Sequence, residues 1–215
     1  MKKLSTIKSL FVDIGDVLLT DGWGLGFRER AVKQFGLDSI EMEARHNQAF
    51  ETFESGKFTL EEYLDRVVFY EKRSFTSARF QKFMFDQSES YPEMIHLIRR
   101  LKEQYGLKIV VVSNEARELN AHRIRKFNLD GFVDTFVSSC YVHVRKPDKD
   151  IFRLALDTAQ VQAEQVIYIE NTPMFVRVAE GLGIRSILHR NYSSTLAELA
   201  SLGLRDKEGE VHGKD

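Results

Sequence analysis

The chain has 215 residues, 31 of them Lys or Arg and 32 Asp or Glu, and its formal net charge of -1 excludes a polybasic nucleic-acid or membrane-surface binder by bulk charge. With 43% hydrophobic residues, 16 Phe and 7 Tyr, the composition excludes a disordered chain and supplies a core. A single Cys closes no intrachain disulfide, and no apolar run approaches the roughly 20 residues of a membrane helix, so a reducing cytoplasm is the expected setting.

Residues 7–12 run apolar into Asp13-Ile14-Gly15-Asp16, the pattern of a buried strand stopping at a turn. From 21 to 90 no strand run stands out. Thr59-Leu60-Glu61-Glu62 reads as a capping box that places Tyr63, Val67 and Tyr70 on one helix face, and Phe80, Phe83 and Met84 mark another helix. From Pro92 onward helix and strand alternate. Met94, Ile95, Leu97, Ile98 and Leu101 recur at helical spacing, and residues 107–112 then form a β-branched run ending at Ser113-Asn114. A run at 133–137 ends at Ser138-Ser139, Ile151, Leu154 and Ala155 mark a helix, and 166–169 ends at Glu170-Asn171. Phe175, Val178, Ala179 and Leu182 precede a last strand at 185–188. Short β-branched strands alternating with helices predict an α/β fold: a Rossmann-like parallel sheet wound with helices, with ligands bound beyond the carboxyl ends of the strands. The expected boundaries are 1–20 and 91–205 for this core, 21–90 for an all-α insertion, and 206–215 for a frayed polar tail.

Four strand ends carry unusual side chains: Asp13, Ser113-Asn114, Lys146 in Val144-Arg145-Lys146-Pro147-Asp148, and Glu170-Asn171. Taken singly, each has a plain structural explanation. Asp13 suits a turn, Ser113 suits a helix N-cap, and Lys146 suits a solvated surface. Together, a carboxylate, a hydroxyl with an amide, an ammonium and a second oxygen-rich pair converge on one crevice, which is what a phosphate group and a hard metal ion require. Pro147 and Pro173 are expected at helix starts, where a fixed φ steadies two of the four segments.

In these four segments and their order the sequence resembles the haloacid dehalogenase-like hydrolases, over roughly residues 8–204. The resemblance implies that Asp13 is a nucleophile that forms an aspartyl-phosphate, splitting one hard step into two. It implies a Mg2+ ion held by Asp13, the main-chain carbonyl of Gly15, and Glu170 or Asn171, with Glu170 one methylene longer than the family's Asp. It also implies that Ser113, Asn114 and Lys146 surround the phosphate, with Lys146 offsetting charge on the nucleophile. Gly15 stands where the family carries a general acid/base, a group that contributes roughly 10²–10⁴-fold. Asp16 is one position too far along, and its side chain is expected to leave the strand end in another direction.

The insertion matches the family's cap, which closes over the crevice and selects the substrate. Trp23, the only Trp, is flanked by Gly22 and Gly24 and either contacts substrate or seals the cap against the core. Phe50, Phe53, Phe58, Tyr63, Phe69 and Tyr70 read as cap core, and Lys72-Arg73 and Arg99-Arg100 as solvated surface. The leading expectation is a magnesium-dependent phosphomonoesterase acting on a small phosphorylated metabolite such as a sugar phosphate, with neither nucleic acid nor membrane as partner and homodimerisation open. The alternatives are a metal-independent 2-haloacid dehalogenase, and a weak descendant that binds a phosphorylated ligand or a protein for regulation.

Overall fold

The computed structural model describes residues 6–207. Five strands, β1 (Ser9–Val12), β2 (Lys108–Ser113), β3 (Thr135–Ser138), β4 (Val166–Glu170) and β5 (Arg185–Leu188), form one parallel sheet in the order β3-β2-β1-β4-β5. β1 is central, with Val12 in register with Val111 on one side and Ile169 on the other. The chain winds away from β1 through β2 and β3 and then crosses to β4. The switch in winding direction therefore opens a crevice at the carboxyl end of β1.

Both faces of the sheet are covered, which is why its central strands are apolar throughout. Leu10, Val12, Ile109, Val111, Ile167 and Ile169 pack with α5 (Pro92–Tyr105) and α10 (Tyr192–Ser201). Phe11, Val110, Val112 and Tyr168 face the other way, toward α8 (Lys149–Ala159) and α9 (Pro173–Glu180). Strand ends shift by one or two residues from those expected. Ile7 precedes β1 and packs against its core, and Val133 is buried in the approach to β3. α6 (Arg117–Lys126) escapes apolar periodicity because its buried face is made by Leu119, Asn120 and Arg123. α7 (Ser139–Val142) is a single turn after β3.

Between β1 and α5 lie four helices, α1 (Leu25–Phe35), α2 (Ser39–Glu54), α3 (Leu60–Val67) and α4 (Ser77–Asp86), with their own core of Met42, Phe53, Leu60, Tyr63, Leu64, Phe80 and Met84. The capping box is present at Thr59 and Glu62, and Tyr63 and Val67 are buried. Tyr70, in contrast, lies past the end of α3, where its ring takes the Arg45 and Arg73 guanidinium groups. The segment leaves and rejoins the sheet layer through paired backbone: Thr20 N–H donates to Glu89 O and Tyr91 N–H to Leu18 O, each at 2.9 Å.

Two expectations are corrected at the chain's punctuation. Pro92 and Pro173 open α5 and α9, but Pro147 precedes the Asp148 N-cap of α8, and the Lys146–Pro147 peptide is cis. The start of the polar tail is fastened rather than frayed: Asp206 is buried against Arg100, and Arg205 N–H donates to Tyr105 Oη. Arg100 is accordingly not a free surface cation. Residues 208–215 of the expected tail lie outside the described residues.

Candidate active site

Asp13 directly follows β1, held in line with the strand by its own N–H bonding to Ile169 O at 3.0 Å. Its Oδ1 accepts from Ile14 N–H at 2.9 Å and lies 3.0 Å from Lys146 Nζ. Ser113, the last residue of β2, lines the same cavity as this carboxylate and draws its pKa down. The helix-cap explanation of Ser113 does not hold, since α6 begins only at Arg117 after an Ala116 N-cap. Burial, reinforced by the charge of Glu170, pushes the Asp13 carboxyl up to about 7 against the opposing pull of Lys146 and Ser113.

Lys146 is buried, so the solvated-lysine explanation is wrong for it. Its Nζ donates to Glu170 Oε2 at 2.6 Å and to Tyr168 Oη at 3.1 Å, and it lies 5.0 Å from the Phe175 ring centroid. The two neighbouring carboxylates outweigh burial and raise the pKa of the ammonium.

Asn114 and Glu170 sit in the expected segments with different occupations. The Asn114 amide engages the Lys146 backbone at both ends: Nδ2 donates to Lys146 O at 2.9 Å, and Oδ1 accepts from Lys146 N–H at 2.8 Å. Its side chain therefore positions the Lys146 backbone. Glu170 is fully buried, with Oε2 accepting from Lys146 and Tyr168 and Oε1 from Thr172 N–H at 2.8 Å. Here this carboxylate is the counter-ion of Lys146, and Glu170 is not among the residues that line the adjoining cavity. Asn171 instead stands on the cavity wall.

That cavity, about 230 Å³, is lined by Asp13, Gly15, Ser113, Lys146, Asn171 and Phe175 among others. A second cavity of about 300 Å³ lies between the inserted helices and α6, with Trp23, Arg28, His46, Phe50 and Phe53 on its walls. Asp21, Glu54, Asn114 and Glu115 line both. Trp23 belongs chiefly to the helical layer. Its Nε1 donates to Tyr63 Oη at 3.0 Å, and its ring meets Phe80 and Phe83 edge-on.

Sequence reasoning missed the ion pairs around this shared wall. Arg145 reaches Glu54 Oε2 at 2.6 Å and Glu51 Oε1 at 3.1 Å on α2. Arg123, buried in α6, lies 3.1 Å from Glu115 Oε1 and donates to Thr20 O at 2.6 Å, fixing the loop after β1. Nothing in the polar pattern of α6 marks Arg123 as a buried residue.

Residues 8–183 match the haloacid dehalogenase-like hydrolase family. The chain is 27% identical over 124 residues to bifunctional epoxide hydrolase 2 of Sus scrofa, covering 56% of this chain and 22% of that protein. It is 26% identical over 131 residues to the phosphorylated carbohydrates phosphatase of Thermotoga maritima, covering 61% of this chain and 56% of that protein. The matches thus span from about a fifth to just over half of these relatives. A HAD family enzyme of Bacteroides thetaiotaomicron, solved as a magnesium complex, superposes with a TM-score of 0.73 at 18% identity, covering 86% of this chain and 94% of that one. The L-2-haloacid dehalogenase of Xanthobacter autotrophicus, with chloropropionic acid covalently bound, superposes with a TM-score of 0.61 at 14% identity, covering 93% and 84%.

Proposed function

Because the chain belongs to the haloacid dehalogenase-like hydrolases, we propose that it is a magnesium-dependent phosphomonoesterase acting on a small phosphorylated metabolite through an aspartyl-phosphate on Asp13. The observation that carries this reading is the buried trio of Asp13, Ser113 and Lys146 on one cavity wall, with the Asp13 carboxylate 3.0 Å from Lys146 Nζ. The carboxylate is the attacking group, the hydroxyl and ammonium receive the phosphate oxygens, Glu170 holds the ammonium, and Asn114 holds the Lys146 backbone. The phosphatase relative supports the same reading.

The residues present fit a hard divalent cation. Two buried carboxylates, Asp13 and Glu170, share one ammonium, Lys146, which leaves the site short of positive charge. Asp13, the Gly15 carbonyl and Asn171 would hold the ion at the smaller cavity. Among the described residues no group of three or more His, Cys, Asp or Glu is placed to cage a metal. That suits Mg2+, which takes one or two carboxylates and keeps water and substrate oxygens for the rest. When bound, the ion offsets the charge between nucleophile and phosphate.

The smaller cavity suits the phosphoryl group and the larger one the remainder of the substrate, so the four inserted helices serve as the cap. With Arg28 paired to Glu43 and aromatic rings beside His46, the larger cavity offers mixed polar and apolar walls suited to a sugar-like leaving group. The test is phosphate release from a panel of phosphate esters, with and without Mg2+, by wild type and Asp13→Asn. Release that needs Mg2+ and vanishes in Asp13→Asn is expected. Full turnover by Asp13→Asn overturns the reading, and chloride release from 2-chloropropionate in the presence of a chelator would establish a dehalogenase instead.

A further inference from the structure

We propose that Asp21 supplies the general acid and base that Gly15 lacks. The proposal rests on the phosphatase reading above and adds a residue to it. Three observations place Asp21 in this role.

The first is space. A side chain built on Gly15 would begin 3.9 Å from Asp21 Oδ1, so the Asp21 carboxyl borders the space a residue at 15 would enter. On its other side Oδ2 lies against Gly24, only 1.8 Å from where a Cβ there would stand, so the second glycine makes room for the carboxyl.

The second is location. A phosphate held in the smaller cavity and a leaving group in the larger one put the scissile P–O bond where the two meet. Four side chains line both cavities, and three are already committed. Asn114 grips the Lys146 backbone, Glu54 pairs with Arg145, and Glu115 pairs with Arg123. Asp21 makes no ion pair of 4.0 Å or less among the described residues and lies at the accessible mouth. Partial burial and the charge of Asp16 raise its pKa, which favours the protonated form an acid must start from.

The third is support. Asp16, the nearer candidate by sequence, has φ of 50° and turns its carboxylate to accept the Asp21 N–H at 3.0 Å. It therefore positions the Asp21 loop, assisted by the Arg123 bond to Thr20 O.

In the first step an Asp13 oxygen bonds to phosphorus as the P–O bond to the leaving group breaks. The electron pair goes to the leaving oxygen, which takes the Asp21 proton and departs as an alcohol. In the second step the Asp21 carboxylate takes a proton from water while the water oxygen bonds to phosphorus. The P–O bond to Asp13 breaks, which regenerates the Asp13 carboxylate and protonated Asp21 and releases phosphate.

The test compares phenyl phosphate, whose leaving phenolate is basic, with p-nitrophenyl phosphate, whose leaving group needs little protonation. Pre-steady-state measurement of the phenol released isolates the first step. For Asp21→Asn that step should slow about 100-fold on phenyl phosphate and under about threefold on p-nitrophenyl phosphate, with the dissociation constant for inorganic phosphate unchanged. Gly24→Ala, which leaves the acid in the chain but displaces its carboxyl, should show the same selectivity. Equal slowing on both esters, or none on either, overturns the assignment while leaving the phosphatase reading intact. Release that persists in Asp13→Asn overturns both.

Discussion

Glu170 Oε2 accepts a 2.6 Å hydrogen bond from Lys146 Nζ, with both side chains essentially excluded from water. A buried ammonium needs close counter-charge to remain ionised, and Lys146 has it on two sides, with Asp13 Oδ1 at 3.0 Å. The lysine is thus set before substrate arrives, and Glu170 acts on the nucleophile through it.

Replacing Glu170 should therefore damage the lysine rather than metal binding. Glu170→Gln is expected to lower kcat with the Mg2+ concentration for half-activation changed less than about twofold, whereas Asn171→Ala should raise that concentration tenfold or more. Glu170→Ala should also cost about 3–5 kcal/mol of stability in urea unfolding, since it leaves a buried charge under-paired. A shift in Mg2+ requirement larger for Glu170→Gln than for Asn171→Ala would return Glu170 to the ligand set.

The strands were legible because β-branched runs covered on both faces have few other readings, and adjacent parallel strands bring Asp13, Ser113 and Glu170 to one edge. Side-chain direction was not legible. The Glu170 carboxylate is the counter-ion of Lys146, and two hydrogen bonds turn Asn114 onto the lysine backbone. Asp21 was hidden for another reason: its place beside Gly15 depends on the turn from Asp16 and on Arg123, residues far apart in sequence whose bonds no periodicity announces.

The docking of α2 on the core hangs on one close approach. Gly56 has φ of 66°, and a Cβ there would lie 2.1 Å from Cys140 O, a backbone atom with little freedom to move. Ser139 Oγ donating to Glu54 O at 2.7 Å, and His143 Nδ1 bonding Ser55 O at 2.7 Å, hold the same contact. Gly56→Ala should cost more than about 2 kcal/mol in urea unfolding, against roughly 1 kcal/mol for Gly36→Ala, which has φ of 63° and open space around it. Equal losses would mean that only the left-handed backbone matters at 56.

Glu115 gives the fold a pH dependence. Burial, opposed by Arg123 and reinforced by Asp13, Asp21 and Glu54, raises its carboxyl from 4.5 to about 7. The folded state thus binds more protons than the unfolded state between these values, so this contribution is fully present below pH 4.5 and is lost as pH rises toward 7. The shift corresponds to roughly 3 kcal/mol. Urea unfolding of Glu115→Gln from pH 5 to 8 should show a flatter decline in stability than wild type. Parallel pH profiles would assign the dependence to other groups.

His46 acts in the opposite sense. Trp23 Nε1 donates to Tyr63 Oη, which is 2.7 Å from His46 Nδ1, and a neutral ring with a bare Nδ1 completes the chain by accepting the Tyr63 hydroxyl. Burial, with the Arg28 charge, lowers the His46 pKa from 6.5 to about 4. The unfolded chain therefore takes up the proton first, and stability conferred by this neutral histidine above pH 6.5 is lost as pH falls toward 4. Protonation removes the acceptor and breaks the chain at its inner end. The only Trp then makes the event visible: Trp23 emission should titrate with a midpoint near 4 in wild type and lose that transition in His46→Gln, whose amide oxygen still accepts from Tyr63. Tyr63→Phe should shift the emission at every pH and cost about 1–3 kcal/mol, because it strands both the indole N–H and the imidazole nitrogen. A wild-type midpoint near 6.5 would show that His46 is not held neutral by its surroundings.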